Sequence, residues 1–368
     1  MIRNNDRITT WQMFILVISA INAIEVLIFP RQLATEVGSD GWISLIGGHL
    51  LAAVSLFFII KLGLLFPNET FAEYTPRIAG SIFGSFFVLL AAAFWVLVTA
   101  RILREFGDFI HLILDRTPIE IIILSTLVVA AYIARYGVEA IARVCEILFP
   151  LFIGLVLVLT LVAVPMMDFS NLLPVLSSDF KSLSKSVVDT ALGLEGKEIF
   201  AMLLPFMIVR ANAFKAGYAA MGLNLLLRLM VYIATIAVFG VDITKIFIWP
   251  VEELGRIVAV PGQFFGRLDA LFIVLWVTVT FTSVLIYYYL ASLTLSHLLK
   301  FREHSLMVFP LFPVIFLLSL VPKNMIETEQ FSDFISIIFG VLVYIIPPLL
   351  ILISYIRGTH KKQPKGGW

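Results

Sequence analysis

Hydrophobicity read along the chain gives ten apolar stretches of about 18 to 30 residues, each long enough to cross roughly 30 Å of hydrocarbon. They lie at about 10–36, 42–65, 80–112, 118–135, 139–164, 186–209, 216–240, 268–299, 304–321 and 333–356. The runs lack period-2 alternation, so they predict helices and not the strands of a β-barrel. Turn chemistry separates them: Gly38 to Gly41, Pro67-Asn68, Thr117-Pro118, Tyr136-Gly137, Asn171 to Ser178 and Pro322 to Thr328. The pattern predicts an all-α integral membrane protein of ten transmembrane helices, forming one domain over residues 1–368.

Composition agrees and excludes the alternatives. Of 368 residues, 60% are hydrophobic and 14% charged, with a mean hydropathy of +1.02. A soluble domain carries about 25% charged residues, so a water-soluble fold is excluded. One cysteine, Cys145, cannot form an intramolecular disulfide and carries no zinc signal. A net charge of +1 provides no field to attract nucleic acid. With the N-terminus inside, the inner loops hold 14 of the 26 Lys and Arg and the outer loops 10, while Lys197 and Arg228 fall within spans. That bias predicts both termini in the cytosol. The N-terminal run is too long for a cleavable signal and carries Asn22 and Glu25. The tail at 357–368, with Lys361, Lys362 and Lys365, reads as a solvated basic end beside anionic lipid.

Ten spans divide into five plus five, at about 8–166 and 184–356. Two five-span units in series have opposite orientations, so an inverted repeat is topologically available. The first span of each unit is also irregular. Span 1 contains Asn22, Glu25 and Pro30; span 6 contains Asp189 and then Gly193, Leu194, Glu195, Gly196, Lys197 and Glu198. Glycine costs about 1 kcal/mol in a helix interior, and a charge at mid-membrane at least about 2.5–3.5 kcal/mol. A lipid-facing helix would not carry all of these. Unwound backbone at membrane depth is tolerated where it lines a cavity, and paired interruptions in two halves point to a midplane binding site. The expectation is therefore a polar, ligand-sized hollow between two interrupted crossings. Half-helix N-termini there would present free N–H groups to a carboxylate, while freed carbonyls and acidic side chains would hold an amine or cation. If the second break is helical, Glu195 and Glu198 share a face with Lys197 turned away; if unwound, Lys197 pairs with either Glu or serves as a tethered cation.

At these residues a family comes into view. The chain resembles the endospore germination permeases, the B subunits of GerA-type spore germinant receptors, within the amino acid/polyamine/organocation (APC) superfamily. The likeness runs almost end to end. It is carried by Phe29-Pro30-Arg31, Asp40-Gly41-Trp42, Asp115-Arg116-Thr117-Pro118, Arg143 with Phe149-Pro150, and Asn171 to Leu176. Further matches are Gly196-Lys197-Glu198 leading to Leu204-Pro205, Ile248-Trp249-Pro250, and Arg267 through Trp276 to Thr280-Phe281-Thr282. The resemblance implies a LeuT/APC-like 5+5 inverted repeat with discontinuous helices 1 and 6. It implies a subunit that binds a small germinant, typically an amino acid, in the spore inner membrane, with receptor A and C subunits as partners. By superfamily analogy the ligand would touch spans 1, 3, 6 and 8. The candidate ligand-binding residues are then Ala20, Ile21, Asn22 and Glu25; Trp95 and Thr99; Gly193, Leu194, Glu195, Gly196, Lys197 and Glu198; and Trp276, Thr280 and Ser283. The segment Ser19 to Glu25 lacks the glycines of many relatives, so Asn22 is expected to substitute with its side chain, and Glu25 biases the site toward a cationic or polar germinant.

The other polar groups have plainer readings. Arg101, Arg104, Glu105, Asp108, His111 and Asp115 form a stripe on an outward extension of span 3, read as a solvated end with internal salt bridges, or else a vestibule or docking face. His49, beside Gly47 and Gly48, reads as a packed, hydrogen-bonded residue, and His297 as interfacial. Tyr287-Tyr288-Tyr289 reads as packing. Asp242 to Asp269 is long enough for a short outer helix or lid, with Glu252 and Glu253 as surface charges. Phosphate loops, paired zinc histidines and nucleophile elbows are missing, so neither an enzyme nor a metal or other cofactor is expected. The function classes in play are a ligand-binding sensor, a proton- or cation-coupled amino-acid transporter, and a structural or ion/water-conducting subunit of a receptor complex.

Overall fold

The computed structural model describes residues 6–22, 25–257 and 268–359, with the side chains of 268–275 outside the description. Ala23, Ile24, Arg267 and the tail from His360 onward, all invoked above, lie outside the described residues. The described elements are helical. In order they are α1 (Thr10–Ile21), α2 (Glu25–Val37), α3 (Gly41–Leu65), α4 (Phe71–Ala79), α5 (Ser81–Ile113), α6 (Ile119–Ala134), α7 (Val138–Ala163) and α8 (Phe180–Gly193). There follow α9 (Phe200–Leu203), α10 (Ala213–Ile246), α11 (Pro250–Ile257), α12 (Leu268–Leu298), α13 (Ser305–Ser319), α14 (Met325–Gly340) and α15 (Ile346–Arg357). A π-turn, Val341–Ile345, joins the last two.

Among the described residues, 6 helical stretches are long and apolar enough to cross a membrane: Glu25–Leu65, Ser81–Ile113, Val138–Met166, Arg210–Ile246, Trp276–Leu298 and Met325–Arg357. Shorter apolar helices are Thr10–Ile21, Ile119–Ala134 and Ser305–Ser319. The chain is a multi-pass membrane protein. In lipid every backbone N–H and C=O must be satisfied within the chain, which helices do and loops do not. The outer faces stay apolar: Ile82 is 83% exposed and Ile356 77%, as suits side chains meeting acyl chains.

Several boundaries differ from the sequence expectation for local reasons. Helix α8 starts at Phe180, before the apolar run, because the Asp179 carboxylate accepts from Ser182 N at 3.1 Å and caps it. Helix α4 lies between two of the apolar stretches; Thr70 and Glu73 close a capping box at its start, a Thr-x-x-Glu signal standing in the sequence. The last stretch begins at Met325, capped by Asn324 accepting from Glu327 N at 3.0 Å. The segment after Asp242 does contain a short helix, α11, but Glu252 is 6% exposed and paired with Arg256 at 2.7 Å, so it is not a surface charge.

Helix α12 is the inner pillar, packed on α5, α7, α6 and α1, and Tyr287, Tyr288 and Leu290 on it are fully buried. Helices α3 and α8 approach closely because Gly47 and Gly48 face Val187 and Thr190 with no side chain between. On one side of the bundle the Asp40 carboxylate accepts from Leu176 N at 2.6 Å and Ser178 N at 2.8 Å, tying down the connection between α7 and α8. Elsewhere Ile8 forms a parallel bridge with Met207: Ile8 N donates to Phe206 O, and Ile208 N to Ile8 O, both at 2.9 Å. This clasps the strand-like lead into α1 to the segment that follows α9.

Candidate functional site

The two irregular segments meet. Helix α1 ends at Ile21, Asn22 leaves helical geometry at φ −99° and ψ 57°, and helical structure resumes at Glu25. Helix α8 ends at Gly193; Leu194 has φ −87° and ψ 62°, Gly196 has φ +117°, and Lys197–Ile199 form a 3₁₀ turn leading into α9. A Cβ at Gly196 would stand 2.7 Å from Ile21 N and 3.0 Å from Ala20 C. Only glycine lets the second break lie directly against the backbone of the first.

Charged side chains converge on this crossing. Arg101 of α5, 4% exposed, donates to Glu25 at 2.9 Å, to Glu105 at 3.4 Å and to Glu195 at 2.5 Å. Ser332 of α14 joins, accepting from Arg101 at 3.3 Å and donating to Glu105 at 3.2 Å. Arg228 of α10 lies 3.7 Å from the other oxygen of Glu25 and donates to Ile21 O at 3.4 Å. A buried guanidinium shared among several carboxylates is held firmly, because removing either sign strands the other in low dielectric.

The second break is self-satisfied. Gly196 N–H donates to both carboxylate oxygens of Glu198, at 2.9 and 2.7 Å, and Tyr287 O–H donates to Glu198 at 3.1 Å. Lys197, fully buried, donates to Leu194 O at 2.7 Å and lies over the rings of Phe339, 4.4 Å from its centroid, and Tyr344, at 5.2 Å. Among the described residues it makes no ion pair within 4.0 Å, so it is paired with neither glutamate. Glu195 and Glu198 do not share a face either; one reaches Arg101 and the other folds back on the break.

The first break is held from α10 and α12. Asn22 donates to Ile18 O at 2.9 Å and accepts from Asn224 at 2.8 Å, while Asn224 Oδ1 contacts His49 Nε2 at 2.9 Å. His49 is thus the packed, hydrogen-bonded residue expected, its other ring nitrogen 2.8 Å from Leu45 O. Ser283 donates to Ser19 O at 2.6 Å, taking a carbonyl that the broken helix leaves open. A cavity of about 10 Å³, room for about one water, lies beside Ser19, Asn22, Phe149 and Thr282.

A sequence model described as "Spore germination protein" matches residues 7–328. The chain belongs to the spore germination protein family. It is 32% identical to spore germination protein YndE of Bacillus subtilis (strain 168), covering 97% of this chain and 99% of that one. Spore germination protein GerLB of Bacillus cereus is 27% identical over 92% of this chain and 91% of its own. Spore germination protein A2 of B. subtilis is 26% identical over 95% and 96%. The family is one of germination proteins and not of enzymes. Two solved structures share the fold. Mhp1, a nucleobase-cation-symport-1 family transporter in a closed conformation with bromovinylhydantoin bound, superposes at TM-score 0.70, with 14% identity over 100% of this chain and 83% of that one. MhsT in complex with L-phenylalanine gives 0.66, with 12% identity over 96% and 99%. The architecture is accordingly LeuT/APC-like.

In this spore germination protein the expected residues divide into three groups. Ala20, Ile21, Asn22, Glu25, Glu195, Gly196, Lys197 and Glu198 form the crossing itself, with Leu194 supplying the carbonyl for Lys197. Trp95 stacks on Tyr287 at 5.9 Å, and its indole nitrogen has no partner among the described residues. Ser283 braces α1, and the buried Thr280 hydroxyl likewise has no partner among the described residues. Thr99 spends its hydroxyl on Trp95 O at 2.7 Å, Gly193 has nothing within 4 Å of a built Cβ, and Trp276 is buried in α12. Arg101 and Glu105 are not on a solvated helix end: they sit in the middle of the network, while Arg104 and Asp108 pair at 2.9 Å and His111 contacts Thr117 O at 2.9 Å. His297, at the end of α12, contacts Thr70 at 2.9 Å. Asn224, Arg228, Tyr287, Ser332, Phe339 and Tyr344 were not foreseen as site residues. Asn224 and Arg228 lie four apart in an apolar run, which is a signal of an interior-facing polar stripe. Among the described residues no group of three His, Cys, Asp or Glu is placed to hold a metal ion.

Proposed function

We propose that this chain is the germinant-binding subunit of a spore germinant receptor. It would sit in the spore inner membrane with both termini cytosolic, as ten transmembrane helices in two inverted five-helix repeats, 8–166 and 184–356, with helices 1 and 6 discontinuous and the basic tail 357–368 in the cytosol. A small ligand, an amino acid in the first instance, enters between the two breaks, and the rearrangement is read by A and C partner subunits. The observation that carries this reading is the contact of Gly196 with Ile21 inside a cage of buried charge, where ligand groups would replace contacts the protein now makes with itself. Differential affinity for two arrangements of the crossing is all that signalling requires. Ala20, Ile21, Asn22, Glu25, Leu194 to Glu198, Trp95, Thr280 and Ser283 are assigned to the ligand, and Gly193, Thr99 and Trp276 to its surround.

A proton- or cation-coupled amino-acid transporter is the second reading, favoured by the fold shared with the transporter Mhp1 and with MhsT, which binds L-phenylalanine. Purified protein in liposomes, offered radiolabelled amino acids, separates the two. Saturable binding without flux supports the sensor; concentrative, gradient-dependent uptake overturns it in favour of the transporter. Ligand-independent ion or water flux would instead identify a conducting subunit.

A further inference from the structure

Hydropathy changes abruptly where the second interrupted crossing ends. Ile208 and Val209 are exposed apolar side chains, Arg210 follows at once, and Lys215 is exposed on the first turn of α10. Arg210 is held in place: its guanidinium donates to Pro205 O at 3.1 Å, and its Nε is buried without a partner among the described residues. The clasp of Ile8 on Met207 brings up Arg7, the residue before Ile8, and among the described residues the charge of Arg7 is the one that acts on Arg210. Helix α3 adds a further cation. Tyr218 donates to Ala53 O at 3.5 Å and the Phe214 ring lies 5.7 Å from that of Phe57, so each turn down α3 matches a turn back along α10, and the next step sets Lys61 at the level of Arg210. Among the described residues none of Arg7, Lys61, Arg210 and Lys215 is in an ion pair.

Main-chain bonds thus hold like charges together, and the repulsion between Arg7 and Arg210 opposes the clasp. An anion relieves it. The surroundings select the kind: where α3 ends and α10 begins, the cations border exposed Phe57, Tyr218, Ile208 and Val209, side chains that suit acyl chains and the aromatic level of a bilayer interface. A soluble anion would neutralise the cations and leave that apolar surface bare, whereas an amphiphile with a phosphate head meets both. Guanidinium forks match phosphate oxygens, and basic pockets between helices at the membrane surface hold anionic headgroups. We propose that Arg7 and Arg210, with Lys61 and Lys215 at the rim, form a headgroup site for an anionic phospholipid that locks the leading peptide to the segment after α9. On the orientation proposed above the site faces the cytosolic leaflet, and it is independent of what binds at the crossing.

Thermal unfolding of the full-length protein tests this, in nanodiscs of phosphatidylcholine alone and of phosphatidylcholine mixed with phosphatidylglycerol. The mixture is expected to raise the midpoint by about 2–4 °C. Arg7→Glu, at an exposed position, gives Arg210 a counter-charge within the chain; it should remove at least about half of that rise without lowering the midpoint in phosphatidylcholine. Arg210→Gln should remove a similar share, and where it does not fold Arg7→Glu carries the test. Arg143→Gln, which alters an exposed arginine of α7 paired with Glu139, should keep the whole rise. No rise in the parent protein, or an equal rise in every variant, would overturn the site. Inorganic phosphate reproducing the rise in phosphatidylcholine alone would overturn the amphiphile in favour of a soluble anion. Arg7→Glu unfolding above the parent, with no effect of phosphatidylglycerol on either, would also overturn the lipid and point to an acidic peptide of a partner.

Discussion

Replacing Gly196 by alanine attacks the point where the two interrupted crossings touch. At φ +117° an L-residue is strained by about 1–3 kcal/mol. The added methyl would also stand 2.7 Å from Ile21 N and 3.0 Å from Ala20 C, both backbone atoms that cannot rotate away. Overpacking of that kind costs about 1–3 kcal/mol. Together they predict a loss of about 2–6 kcal/mol, or a parting of the two segments that relieves part of it. Gly193→Ala, three residues earlier, is the internal control: it ends α8, and a built Cβ there meets nothing within 4 Å. It should be neutral or slightly stabilising, since alanine is favoured over glycine in a helix by up to about 1 kcal/mol. Thermal unfolding of the two solubilised variants, followed by tryptophan fluorescence, gives the comparison, and ligand binding on the same preparations reports the site. Equal melting curves for Gly196→Ala and Gly193→Ala would refute the contact between the breaks.

Other outcomes follow from the same geometry. Arg101→Ala leaves Glu25, Glu105 and Glu195 facing one another, and should cost about 3–5 kcal/mol in thermal unfolding, with Arg101→Lys recovering only part because one ammonium cannot reach three carboxylates. Lys197→Ala and Glu198→Ala should impair the germination response far more than Glu329→Ala, whose side chain is 65% exposed; equal responses at matched protein levels would displace the proposed site. Cys145 is fully buried in α7, so maleimide should label it after denaturation and not in the folded protein; rapid labelling of native protein would show that this part of the bundle opens.

The fold was largely legible because a membrane makes sequence errors expensive. Ile119–Ala134 and Ser305–Ser319 are so uniformly apolar that little but a helix in or beside lipid accommodates them. Both breaks announced themselves through residues a lipid-facing helix would not keep, Asn22 and Glu25 in one and the run from Gly193 to Glu198 in the other. Partner choice was not legible. Arg101 and Glu195 are 94 positions apart, and Asn224 reaches Asn22 across 202, distances over which local periodicity carries no information. Hence Arg101 read as part of a solvated stripe, when the helix it stands on continues inward to the crossing. Lys197 was open to two readings because its partners are the rings of Phe339 and Tyr344, on a helix whose π-turn shifts the register of everything beyond it.

The clasp between Ile8 and Met207 involves main-chain atoms alone. Whatever side chains evolution installs at those two places, the lower portions of both interrupted rods share a yoke, so a pull on the leading peptide is delivered to its counterpart without passing through the charged cage. Such a linkage is invisible to alanine scanning; slowed deuterium uptake at the amides of Ile8 and Ile208 is how it would declare itself.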